Sequence, residues 1–190
     1  IESAGGAASY LISGTLADKL HISWQARADQ LAKRRIAVTG VSEFPDLNEK
    51  PIETSGISYQ PQSELPPAGL EIPRLPFLRD AEMFEAYRFA SDAALAQQGA
   101  RPTALLVTMG TQAQYTPRLT FTKNLLSAIG VDQQVVASDG DIATALDDIS
   151  HCVAFVLCGE DASYEEDGAS LSDKLSSLSE ARIFVAGRPA

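Results

Sequence analysis

TALLVTM, residues 103 to 109, followed at once by GTQAQYTPR, residues 110 to 118, is the stretch on which the fold turns. Seven residues with Ala104, Leu105, Leu106, Val107 and Met109 in near-continuous succession read as a strand buried on both faces. Gly110 marks a turn, and the helical spacing that follows predicts a helix from Pro117 to Ile129, closed by Gly130. A buried strand running through a glycine turn into a helix is the opening of a parallel β/α unit. The same rhythm continues outward. VDQQVVAS (131 to 138) predicts a second strand, Ile142 to Ile149 a short helix and CVAFVLCG (152 to 159) a third strand. Tyr164 to Leu178 predicts another helix and ARIFVAG (181 to 187) a fourth strand. The expected fold class is α/β, a flavodoxin-like parallel sheet with flanking helices. Its working edge should be the carboxyl ends of the strands. Such a domain has five strands as a rule, so a last helix and strand are expected beyond Ala190 or are absent here.

Upstream the pattern changes. A helix led by Asp80 or Arg79 runs through AEMFEAYRFASDAALAQQ to Gly99, with Pro102 just beyond. Before it, seven of the ten prolines fall between Pro45 and Pro76, which removes amide donors and predicts an extended linker over 45 to 78. Ile52, Ile57, Tyr59, Leu65, Leu70 and Ile72 punctuate it, so it should lie along a surface. Residues 1 to 44 predict a small-residue helix around Glu2 to Ile12, then a helix from Trp24 towards Arg35 capped by Ser23. A short strand over Ile36 to Val41 follows. Two helices and a strand cannot close a core at that length. Together with an opening at Ile1 instead of Met, this predicts a piece of a longer polypeptide.

Composition bounds the function. Fifteen basic against twenty-five acidic residues give a charge of −10, distributed as +1, −5 and −6 over 1 to 44, 45 to 100 and 101 to 190. That balance provides no basic face for phosphates and excludes a general nucleic-acid binder. No apolar run approaches the ~18 residues of a membrane span, and the opening lacks a signal peptide's basic region. Cys152 and Cys158 share one strand face about 20 Å apart at ~3.3 Å per residue, too far to pair. A reduced, cytoplasmic setting is expected.

Candidate chemistry clusters at the predicted carboxyl edge. Thr111, Gln112, Gln114 and Tyr115 follow the first strand, where such sheets take ligands, yet neither G-x-G-x-x-G nor a Walker lysine is present. Asp139, Asp141, Glu160 and Asp161 follow strands two and three. They are read either as helix caps, for Asp139 and Asp161, with the others solvated, or as the Mg²⁺ cluster of a phosphate-receiver-like module. His21 and His151 are the only histidines, and neither has a nucleophile or a metal-ligand partner nearby in sequence. No intrinsic catalytic residue and no metal site are expected.

The runs IAVTGVSEFP (36 to 45), RLPFLRDAEMFEAYRFASD, LLVTMGTQAQYTPRLTFTKNLLSAIGV and VLCGEDASYEEDGASLSDKLSSLSEARIFVAGRP together resemble the carboxyl-terminal part of the methylmalonyl-CoA mutases, specifically their small chains. The MGT-x-A-x-Y/H-T-x-R loop and the AGRP ending are the specific parts of the resemblance. It implies that residues 1 to 44 end a TIM barrel, that 45 to 78 are a strap, and that 79 to 190 form a cobalamin-binding-type domain. In the family's catalytic large chain the loop after strand one carries D-x-H-x-x-G, whose histidine ligates cobalt and whose aspartate orients it. Registered on Gly110 and Gly130, Gln112 stands at the Asp position, Gln114 at the His position and Pro117 at the Gly position. The resemblance thus implies a small, non-catalytic subunit that binds no cofactor. Its heterodimeric partner, the large subunit, would hold adenosylcobalamin and interconvert succinyl-CoA and methylmalonyl-CoA. A cobalamin domain with altered ligation, for example through His151, is the alternative, beside the receiver-like module.

Overall fold

The computed structural model describes residues 1–49, 72, 73, 75 and 78–187. The predicted linker therefore lies largely outside the described residues, as does the Arg-Pro-Ala end. The chain divides into two compact units, Ile1–Ala37 with Asn48–Asp80, and Val38–Leu47 with Ala81–Ala190.

In the first unit a single 3₁₀ turn, Glu2–Ala4, precedes α1, Ala7–Ile12, and α2, Thr15–Ala32. The expected helix over Glu2 to Ile12 is thus divided, because Gly5 and Gly6 both adopt positive φ. Ser23 is not a cap: α2 begins eight residues earlier, after Gly14, and places Ser23 and His21 in its interior. Leu31 is its one buried residue. Arg27 and Asp80 form a bidentate ion pair in this unit, with N···O distances of 2.7 and 2.5 Å.

The second unit holds a four-stranded sheet with all pairings parallel: β1 (Thr103–Thr108), β2 (Asp132–Ala137), β3 (Cys152–Cys158) and β4 (Arg182–Val185), in the order β2-β1-β3-β4. This is the flavodoxin-like order, and the chain reverses its direction of winding between β1 and β3. Around the strands stand α3 (Glu82–Gln98), α4 (Gln112–Ala128), α5 (Ile142–Asp147) and α6 (Asp161–Leu178). Leu105, Val107, Phe155 and Leu157 meet Ile142 of α5 and Leu171 and Leu175 of α6 on one face of the sheet. Ala104, Leu106, Ala154, Val156 and Cys158 meet Leu119 and Leu126 of α4 on the other. Alternate residues of β1 and β3 are therefore buried to both sides, the physical reason their sequences show no period-two polarity.

The expected strand at Ile36 to Val41 does not form. Gly40 at φ 79° turns the chain, Thr39 bridges Glu43, and the amides of Val41, Ser42 and Glu43 all point to Val38 O. This turn and the residues after it are held by arginines of the second unit, Arg88 Nη2 donating to Asp46 O at 2.5 Å and Arg101 Nη2 to Leu47 O at 3.2 Å. Those bonds explain why Val38–Leu47 groups with the sheet. The α3 helix is anchored through Ser91, whose Oγ donates to Gly130 O at 2.5 Å. A Cβ at Gly130, whose φ is 83°, would lie 2.7 Å from that serine's Cβ, so both the turn and the close approach require glycine.

Candidate functional site

The candidate site is the crevice at the carboxyl ends of β1 and β3, where a sheet of this order takes ligands. It is built by two strand-to-helix turns. The first runs from Met109 through Gly110 to Thr111, the N-cap of α4. Helix α4 starts at Gln112 instead of Pro117, because Thr111 and Gln114 close a capping box. Thr111 N donates to Gln114 Oε1 at 2.7 Å, and the Thr111 hydroxyl lies 2.7 Å from the same oxygen. Pro117 consequently lies within the second turn of the helix, where it supplies no amide to Ala113 O. Gly110 adopts φ 79°, and a Cβ there would come within 2.7 Å of Gln114 Oε1.

Of the three positions singled out in this loop, Gln112 is an exposed first-turn residue and Pro117 lines an open hollow with Arg118, Phe121, Asp161, Ala186 and Gly187. Gln114 is engaged through both its amide oxygen and its amide nitrogen. Its carbonyl oxygen serves the α4 cap, and its Nε2 donates to Glu160 Oε1, fastening the first turn to the second.

The second turn follows β3. Gly159 leads to Glu160, the N-cap of α6, so Asp161 is the helix's first residue and not its cap. Asp161 instead accepts from Arg118 Nη2 at 2.5 Å, while Arg118 Nη1 donates to Gly159 O at 2.7 Å. The neighbouring Tyr164 hydroxyl first, and then the Asp161 carboxylate, hold the Arg118 guanidinium above its ordinary value. Arg118 also stacks on Tyr164, its Cζ 5.1 Å from the ring centroid. Neither Arg118 nor Tyr164 is identified as a site residue by sequence reasoning. The arginine lies inside the quoted loop pattern, but Tyr164 reads merely as a helix start, with no local signal that its hydroxyl reaches back to the strand ends.

The remaining candidates are dispersed. Asp141, not Asp139, caps α5, accepting from Thr144 N at 3.1 Å and from the Thr144 hydroxyl at 2.7 Å. Those bonds hold its carboxyl below the usual carboxylate range. With Glu160 and Asp161 engaged as described, three of the four acids of the receiver-like reading serve helix starts and side-chain pairs. Among the described residues, no three His, Cys, Asp or Glu side chains gather as a metal site would require. His151 precedes β3, at the amino edge, and its carbonyl accepts Thr103 N at 3.0 Å. His21 lies on α2 within 2.9 Å of the Gln25 amide. Cys152 and Cys158 are free thiols, and burial pushes both up from their ordinary value. No described helix is long and apolar enough to cross a membrane.

No family model matches the chain. Individual relatives do. The chain is 37% identical over 190 residues to the methylmalonyl-CoA mutase small subunit of Streptomyces virginiae, an alignment covering 99% of this chain and 29% of that protein. This chain is homologous to a segment of the methylmalonyl-CoA mutase small subunits. It is 35% identical over 163 residues to a probable methylmalonyl-CoA mutase small subunit of Mycobacterium tuberculosis, covering 85% of this chain and 24% of that one. It is 25% identical over 189 residues to the methylmalonyl-CoA mutase small subunit of Propionibacterium freudenreichii subsp. shermanii, covering 98% and 27%. The chain thus spans less than a third of the length of the mutase small subunits it matches. The longest of these alignments takes in both turns of the crevice.

Proposed function

We propose that the chain is the carboxyl-terminal part of the small subunit of a heterodimeric methylmalonyl-CoA mutase, and that this subunit supports catalysis without performing it. In this reading residues 1 to 44 end a TIM barrel, 45 to 78 strap it to the flavodoxin-like domain, and the assembly works in the cytoplasm. The large subunit holds adenosylcobalamin and interconverts succinyl-CoA and methylmalonyl-CoA. The homology supports the family, and Gln114 carries the non-catalytic assignment. Cobalt ligation calls for an imidazole held by a hydrogen-bonding partner. At the position matching that histidine stands a carboxamide, a poor donor to cobalt, whose oxygen and nitrogen are already engaged by Thr111 and Glu160. Of the two histidines, His151 precedes β3 and His21 lies on α2. The residues present therefore do not fit axial ligation of cobalamin. What remains for the domain is structural: a sheet with a packed core on both faces and two strand-to-helix turns tied to each other by their own side chains.

Purification of the protein from its source tests the partnership. The expected result is co-purification with a longer chain carrying D-x-H-x-x-G, with adenosylcobalamin-dependent mutase activity that is lost when the two are separated and restored on mixing. Mutase activity in the small chain purified to homogeneity would overturn the proposal.

A further inference from the structure

One side chain joins the carboxyl ends of β3 and β4. Gly159 N donates to Tyr164 Oη at 2.8 Å. The single hydroxyl proton has two acceptors within reach, Ala186 O at 2.8 Å and Leu157 O at 3.1 Å. Leu157 O already accepts Ala186 N at 2.9 Å, which leaves Ala186 O the better placed of the two. The ring packs against the core formed by Leu157, Leu171 and their neighbours on one side and carries Arg118 on its face. Arg118 in turn satisfies Gly159 O. Both backbone groups of Gly159, just past the end of β3, are thus paired by side chains from α6 and α4.

In a sheet of this order ligands bind beyond the carboxyl ends of the strands, the edge to which Gly159 and Ala186 belong. We propose that Tyr164 is a built-in stand-in for a ligand at the ends of β3 and β4: its phenol supplies the flat ring, the donor and the acceptor that a bound ligand would supply there, with Arg118 clamped on its face. This rests on the reading of the domain as one that binds no cofactor and adds the residue that takes up the strand-end groups in a ligand's place. The chemical class that the vacated space would accept is a small phenol. A ring without a hydroxyl would leave Gly159 N and Ala186 O unpaired.

Two variants test this. Tyr164→Phe keeps the ring and removes the hydroxyl. The amides of β4 should then exchange with solvent at least tenfold faster than in the unaltered protein, with those of β1 unchanged. Tyr164→Gly removes the ring. Its melting temperature should rise with the logarithm of added p-cresol, more than with toluene, while that of the unaltered protein should not respond. Unchanged β4 exchange in Tyr164→Phe would overturn the proposal, as would a folded Tyr164→Gly that answers p-cresol no differently from the unaltered protein. Should Tyr164→Gly not fold alone, p-cresol is expected to restore folding, and the exchange result for Tyr164→Phe stays decisive. Neither readout involves cobalamin or a partner subunit, so failure here is distinguishable from failure of the mutase reading.

Discussion

Gln114 does at the residue scale what three separate groups would otherwise have to do: it closes the start of α4, supports the Gly110 turn and ties that turn to Glu160. Replacing it with alanine removes the cap acceptor and strands the Glu160 tether. Gln114→Ala should lower stability by about 1 kcal/mol, the usual worth of an N-terminal cap, read as a reduced urea midpoint with unchanged slope. A change within error would show that the cap is made elsewhere. The two glutamines of this loop are legible as candidate positions because strand, glycine and polar residues fall in order there, whereas Pro117 is singled out only by the family resemblance. What the glutamine touches was not legible, since Glu160 is 46 residues away. Tyr164 was missed for the same reason: its hydroxyl acts on Leu157, Gly159 and Ala186, backbone groups whose proximity only the folded sheet creates.

The helices show where local signals compete. Pro117 and Gly130 alone predict a helix between them, but the Thr111 and Gln114 box starts α4 five residues earlier and carries the proline inside it. Pro117→Ala should therefore restore an amide to Ala113 O and raise stability by about 1 kcal/mol, measured as a higher midpoint of unfolding; a loss would mean that the proline's ring packing outweighs the missing bond. Asp141 gives the pH dependence. Its folded carboxyl is held below the unfolded value by Thr144, so the stabilisation is full above the ordinary carboxylate range and lost as pH falls through the folded value. The stability gap between the unaltered protein and Asp141→Ala should be constant near neutrality and close below about pH 4. A gap independent of pH in thermal melts would contradict the assignment of Asp141 as the charged cap. At this scale the four strands are readable within two residues at either end, because buried runs and glycine stops coincide, while the start of α4 is not. The Ile36 to Val41 segment was not: β-branched residues favour a strand only where a neighbouring strand pairs with them, and Gly40 turns the chain back on Val38 instead.

For the whole molecule, the parallel order β2-β1-β3-β4 and the identity to mutase small subunits describe the same object from two directions: a ligand-binding architecture within a family of subunits. The order of strands could not be derived from their succession, since several doubly wound orders alternate strand and helix alike. The charge of −10 weighs against phosphate contacts and turns attention to the crevice itself. There Gln114 is tied to Thr111 and Glu160, both backbone groups of Gly159 are paired by side chains, and the loop from Gly110 to Arg118 carries no imidazole. Titration of this subunit, separated from any large subunit, with adenosylcobalamin, followed by its visible spectrum and by calorimetry, tests directly whether it binds the cofactor. The account predicts no saturable heat and no spectral change up to about millimolar ligand, where an affinity would be worth only ~4 kcal/mol; saturable binding with the spectral shift of histidine ligation would contradict it.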